Sequence, residues 1–169
     1  MATVRRATAA DGRTIAVVQA ETWRVAYADL LPASLLDALD VERRGDAWTR
    51  RLAEARGSAH ATFVAEADGA TIGFASVGPW RDDDGHAGEL YALYVHPSGW
   101  GTGAGRLLIE QAEGELRAAG FPEARLWVLK GNERAERFYR LAGWTFDGVE
   151  KLEDFGGAHA PERRYSKRL

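Results

Sequence analysis

Val95-His96-Pro97-Ser98-Gly99-Trp100-Gly101-Thr102-Gly103-Ala104-Gly105-Arg106 carries the densest chemical signal in the 169-residue chain. Glycines at 99, 101, 103 and 105 permit positive φ and let a ligand come close to the backbone. Successive amides, followed by the start of a helix, form an anion cradle, and a diphosphate is its natural guest. Gly99-x-Gly101-x-x-Ala104 also meets the spacing of the dinucleotide fingerprint. Three features oppose that reading. The junction follows the fourth strand of the pattern rather than the first, Lys130 stands where an acidic residue should end the next strand, and glycines continue past the fingerprint. The chain has no Gly-Lys-Ser/Thr for a nucleoside triphosphate. Neither His86 nor His96 has a second His at ligand spacing, so no metal site is expected. Ser98 lacks the Gly-x-Ser-x-Gly elbow, and Asp82 to Asp84 read as a solvated acidic turn.

The elements that must position this loop follow from periodicity. Thr3 to Arg6 reads as an edge strand, and Asp11 caps a helix running to about Tyr27. Leu30-Leu31-Pro32 breaks that helix, and Ser34 and Asp40 can cap two further pieces. Then the period drops to two. His60 to Ala67 and Thr71 to Trp80 form a hairpin about Asp68-Gly69, with a second turn at Asp82 to Gly85. Glu89 to Val95 is a nearly continuous apolar strand, as a central strand covered on both faces would be. Simple alternation puts Glu89 on one face with Tyr91, Leu93 and Val95. A helix over Gly103 to Ala119, a strand over Ala124 to Leu129 and a helix from Asn132 to Gly143 follow. Two strands, about Trp144 to Lys151 and Arg163 to Arg168, finish the chain. The order is that of a mixed α/β (α+β) sheet with a local βαβ crossover in its second half.

At this point the sequence resembles the GCN5-related N-acetyltransferases. Their hallmark, Gln/Arg-x-x-Gly-x-Gly/Ala after a central strand, binds the acetyl-CoA pyrophosphate. It matches Trp100-Gly101-Thr102-Gly103-Ala104-Gly105, with Trp100 in place of the usual Gln/Arg. A second motif agrees: Asn132, Ala135, Tyr139 and the Gly143-Trp144 pair stand at the family's spacing. The resemblance spans Glu89 to Phe146, about a third of the chain. It implies one domain over residues 1–169, with a mostly antiparallel sheet splayed between its fourth and fifth strands and helices on both faces.

The resemblance further implies transfer of acetyl from acetyl-CoA to a primary amine. Gly101, Thr102, Gly103, Ala104, Gly105 and Arg106 would hold the pyrophosphate, and Asn132 the pantetheine arm. Backbone N–H of Leu93, Tyr94 or Val95 would face the oxyanion. Tyr139 would protonate the departing thiolate. Glu89 stands eleven residues before Trp100, the interval of the general base in the family's founding member. Each residue also has a plainer reading: Asn132 as a helix cap, Tyr139 as core, Glu89 as an ion-pair partner. Acceptor recognition is expected from Trp23, Tyr27 and Asp29 and from the region between Glu150 and Ala160. A non-catalytic acyl-CoA sensor on the same fold and a dinucleotide-dependent oxidoreductase are the competing functions.

Composition bounds these readings. Net charge is -3 with pI about 5.8, so a nucleic-acid footprint is not expected. The chain has no Cys, which excludes disulfides, Cys-ligated zinc and an acyl-cysteine intermediate. Direct transfer in a ternary complex is therefore favoured over a ping-pong route. Nothing apolar runs for 18 residues and no secretory signal is seen, so a cytoplasmic protein away from membranes is expected. The partner is a small-molecule or peptide amine, with a homodimer left open.

Overall fold

The structure, a computed structural model, describes residues 1–55, 58–82 and 86–169. The acidic turn expected at Asp82 to Gly85 lies outside the described residues except for Asp82. β1 is Thr3–Arg6, and three helices follow: α1 (Gly12–Ala26), α2 (Ala33–Asp37) and α3 (Val41–Glu54). Asp40 caps α3 by accepting the Arg43 N–H at 2.9 Å. β2 (Ala61–Ala67) and β3 (Ala70–Pro79) join through Asp68 and Gly69, both at positive φ, as a tight hairpin turn requires. β4 (Ala87–Val95), α4 (Ala104–Ala118), β5 (Glu123–Leu129), α5 (Glu133–Leu141), β6 (Thr145–Asp154) and β7 (His159–Arg168) complete the order.

The seven strands form one sheet in the order β1-β2-β3-β4-β5-β7-β6. β4 and β5 are the parallel pair, and every other neighbour is antiparallel. The parallel pairing stops early: Ala87, Gly88 and Glu89 pair with Glu123, Ala124 and Arg125, and beyond them the strands part. One face of the sheet packs Ala75, Val77 and Leu90 against Leu108, Ala112 and Leu116 of α4. The other packs Val64 and Phe74 against Ile15, Val18, Trp48 and Leu52 of α1 and α3. Burial of these side chains, worth roughly 1.5–3 kcal/mol each, holds helices on both sides of a rigid gap.

The alternation expected along β4 does not hold. Ser76 pairs with Ala92 but Val77 pairs with Leu90, so Tyr91 is an extra, bulged residue. The bulge shifts the phase. Leu90, Leu93 and Val95 face α4, while Ala92 and Tyr94 face α1. Glu89 therefore shares the α1 side with Tyr94, not the side of Leu93 and Val95.

Candidate active site

The gap between β4 and β5 opens into two adjoining cavities. The first, about 330 Å³, runs from the splayed strands to the glycine loop. The loop's form explains its composition. Gly101 and Gly103 have φ of +79° and +89°, and a Cβ on either would meet nothing within 4 Å, so open space lies beyond the backbone. Gly105 is tight instead: a Cβ there would lie 3.3 Å from the Phe138 ring. Gly103 is the N-cap of α4 and offers no side-chain cap, so N–H groups of the first turn project without a helical partner. Thr102 turns back, its hydroxyl donating to the Gly99 carbonyl at 2.7 Å, and Ala104 is buried in the core. These two shape the loop, while Gly101, Gly103, Gly105 and Arg106 line the cavity.

Trp100 takes a particular role here. Its indole N–H donates to the Val95 carbonyl at 2.7 Å, and the Arg134 guanidinium stacks on its ring at 3.8 Å. A cation thus reaches the cradle from α5, carried on the ring that replaces the family's Gln/Arg. Residue type and spacing in the sequence did not reveal this pairing.

Leu93, Tyr94 and Val95 line the same cavity, from the part of β4 whose β5 side has no strand partner. Asn132 lines it too while its side chain accepts the Ala135 N–H at 3.2 Å, so the helix-cap reading is realised and the amide still faces the cavity. Tyr139 lines the inner wall, 7 % exposed, its ring edge-on to Phe138 and Trp144. Burial, reinforced by Tyr94, pushes its phenol far above the ordinary range.

The second cavity, about 360 Å³, shares Tyr27, Leu90, Tyr91, Tyr94 and Trp127 with the first. Its far wall comes from the turn before β4, the start of β4 and the β6–β7 hairpin: Arg81, Glu89, Lys151, Glu153, Phe155 and Glu162. Glu89 is 1 % exposed and both its oxygens are engaged by Arg81. The Arg81 guanidinium reaches Oε1 at 2.6 Å, and the Arg81 backbone N–H donates to Oε2 at 3.1 Å. Tyr27 and Tyr94 put their hydroxyls 3.5 Å apart at the meeting of the cavities, and burial raises both phenols.

Of the other acceptor residues expected from sequence, Trp23 lines neither cavity. It supports Tyr27 and Tyr94 from behind, its ring 5.2 and 6.3 Å from theirs, with Arg44 on its own face. Asp29 sits exposed in the turn after α1, outside both cavities. Lys151, Glu153 and Phe155, from the expected region between Glu150 and Ala160, line the second cavity, whereas Arg81 and Glu162 were missed. Glu162 in particular lies two residues past the region expected to contribute, in a strand whose sequence reads as ordinary alternating polar residues.

Comparison with known proteins gives the same picture. The model of the acetyltransferase (GNAT) family matches residues 22–144. An uncharacterized N-acetyltransferase of Bacillus subtilis, YuaI, is 36% identical over 134 residues, covering 78% of this chain and 74% of its own length. A mycothiol acetyltransferase of Thermomonospora curvata is 37% identical over 90 residues, but the match covers 53% of this chain and 29% of that protein. The PaiA N-acetyltransferase of Thermoplasma acidophilum, solved with coenzyme A, superposes with a TM-score of 0.79 at 22% identity, over 100% of this chain and 99% of that one. With the splayed β4–β5 pair, the glycine loop and a family match over most of its length, the chain belongs to the GNAT acetyltransferase family.

Proposed function

We propose that the protein is an acetyl-CoA-dependent N-acetyltransferase that moves an acetyl group to a primary amine by direct transfer in a ternary complex. The observation that carries this reading is the pair of adjoining cavities. One is a backbone cradle for a diphosphate, the other a polar chamber, and they meet at Tyr27, Tyr94 and Trp127. Two substrates can be held at once and the chain has no Cys to carry an acyl group, so no covalent relay is needed. Relatives named for acetylation of mycothiol and of L-methionine sulfoximine, and structure neighbours solved with coenzyme A or acetyl-CoA, support the class of reaction.

Each residue has a task in this reading. The amides of Gly101 to Arg106 hold the pyrophosphate, with Arg106 and Arg134 as flanking cations. Asn132 meets the pantetheine arm. Free N–H groups of β4 between Leu93 and Val95 face the oxyanion as the amine attacks. Tyr139, protonated throughout the working range, hands a proton to the leaving thiolate. A lysine-like amine needs about 4.6 kcal/mol to shed its proton at pH 7, so the acceptor side must supply a base. Glu89 stands in that cavity, but from its present position it can take a proton only after Arg81 releases an oxygen.

Isothermal calorimetry with acetyl-CoA, CoA and NADPH, beside CoA thiol release against a panel of amines, tests the function. Micromolar acetyl-CoA binding with amine-dependent thiol release is expected. NADPH binding in preference to CoA would sink the reading, and CoA binding with no transfer to any amine would favour the sensor.

A further inference from the structure

The second cavity is acidic beyond its need. Among the described residues, Asp82, Glu89, Glu153 and Glu162 line it against Arg81 and Lys151. The two cations are already committed. Arg81 is bound to both oxygens of Glu89, and Lys151 Nζ lies 2.7 Å from Glu153. Glu162 is left with Lys151 at 3.7 Å, too long for a good hydrogen bond, although its side chain is only 13 % exposed. It projects from β7 opposite Leu129, at the end of β5 where the strands have parted. Its charge is felt by the hydroxyls of both Tyr27 and Tyr94, the residues where the two cavities meet. A half-buried carboxylate without a tight partner, facing an aromatic chamber, is a socket for a cation.

We propose that Glu162, and not the arginine-locked Glu89, receives the ammonium group of the acceptor and takes its proton. The inference rests on the N-acetyltransferase reading and specifies its substrate class: a cationic amine, held between Glu162 and the rings of Tyr27 and Tyr94, since Trp127 already carries Lys151 over its ring at 4.5 Å. The ammonium passes one proton to Glu162, which later releases it to solvent. The nitrogen lone pair forms the C–N bond with the thioester carbonyl carbon as the C–S bond breaks. The second nitrogen proton is lost as the amide forms, and Tyr139 supplies one to the sulfur and is restored. The sum is ammonium plus acetyl-CoA giving amide, CoA thiol and one proton.

The groups facing Glu162 set its titration. Burial raises its carboxyl to about 6, with Glu153 in the same sense and Lys151 and Arg81 opposing. A carboxyl poised there is ionised at neutral pH yet basic enough to accept a proton. The same shift has a stability signature. A carboxyl whose folded value lies above its ordinary 4.5 costs stability as pH rises through that window, and costs nothing below it.

The test compares wild type, Glu162→Gln and Glu89→Gln, with L-methionine sulfone and 1,4-diaminobutane as acceptors, by CoA thiol release from pH 5 to 9. Glu162→Gln should lower kcat/KM for the amine about 10²–10⁴-fold at pH 7 and abolish the acid limb near pH 6. Acetyl-CoA affinity should be unchanged, and the variant should melt higher than wild type at pH 8 but not at pH 4. Glu162→Asp, which keeps the carboxylate, should retain the acid limb and covers the case in which the glutamine variant does not fold. An active wild type with a Glu162→Gln variant that follows it at every pH overturns this proposal alone. So does loss of the acid limb in Glu89→Gln with its retention in Glu162→Gln. A wild type that transfers to neither of these amines but acetylates an uncharged amine of the panel overturns this proposal alone, and one that binds acetyl-CoA but transfers to no amine overturns it together with the reading it rests on.

Discussion

The two cavities at the splay are built from different materials. The first, the cofactor side on the proposed function, has a backbone cradle: positive-φ glycines, a helix start whose N-cap is a glycine and the unpaired edge of β4. The sources of that cradle lie within one stretch of chain, from β4 through the loop into α4, while side chains of α1, β5 and α5 close the rest of the cavity. The second, the acceptor side on the proposed function, is side chain, and its charged residues come from the turn before β4 and the start of β4 and from β6 and β7, more than 60 residues apart in sequence. A backbone site tolerates change in the residues around it and fails at the few positions where only glycine fits. A side-chain site fails one charge at a time. On the proposed function, the chemistry common to the family belongs to the first, and whatever is particular to this chain belongs to the second.

Tyr139 stands where that contrast should be sharpest, because it lines the cofactor cavity by side chain alone. Tyr139→Phe keeps the ring among Phe138, Trp144 and Tyr165 and removes only the hydroxyl. Turnover should fall about 10²–10⁴-fold, with acetyl-CoA affinity and melting temperature held. The loss should not vary between pH 6 and 9, since the buried phenol stays protonated across that range. A variant with wild-type turnover would return Tyr139 to the role of core packing. Gly103→Val attacks the backbone half. It strains a φ of +89° and places methyl groups in the open space beside the loop. Acetyl-CoA affinity should drop about 100-fold, or about 2.7 kcal/mol, in a protein whose circular dichroism is unchanged. Calorimetry showing wild-type affinity would break the comparison at its stronger side.

The same division explains what could be seen in the sequence. The loop was legible because positive φ and close approach select glycine, and four glycines at alternate positions before a helix suit little else. Asp68-Gly69 and the Asp40 cap were legible for the same reason: each local geometry names its residue. Tyr91 shows the limit. A bulge is a disagreement between two strands, and β4 alone carries no mark of it, so simple alternation put Glu89 on the wrong face. Glu162 was invisible because its meaning depends on β7 pairing with β5 and on where the β4–β5 gap falls. Trp100 departs from the motif, and only its contact with Arg134, 34 residues later, gives that departure a purpose.

Glu89→Gln is a smaller perturbation, on the acceptor side, and it separates support from chemistry. The buried carboxylate accepts from three N–H groups of Arg81: the backbone N–H, Nη2 and an Nε–H shared between its two oxygens. Removing its charge lets the exposed guanidinium return to water but leaves an amide that cannot accept as many bonds. The loss should be about 1–3 kcal/mol. A melting temperature several degrees lower, with an activity ratio to wild type that is flat across pH, is the expected pair of results. An activity loss that recovers at high pH, where more amine is already neutral, would make Glu89 a base after all.

The smallest effect belongs to Trp100→Gln, which installs the residue type the family motif usually carries. The glutamine amide can still donate toward the Val95 carbonyl, so the loop should keep its course. What is lost is the ring under Arg134, 3.8 Å from its guanidinium, on a side chain otherwise free to swing into water. A cation held on an indole at a partly exposed site is worth about 0.5–1 kcal/mol, so acetyl-CoA affinity should fall about two- to fivefold. Arg134→Ala should produce a similar loss, and the double variant little more than either single one, because both remove the same cation–ring contact. The deficit should shrink as salt rises from low to physiological strength, since screening weakens an exposed cation's pull on a phosphate. Additive losses in the double variant would mean that Trp100 and Arg134 serve the cradle separately, and equal affinity in Trp100→Gln would mean the loop's amides hold the diphosphate without help from α5.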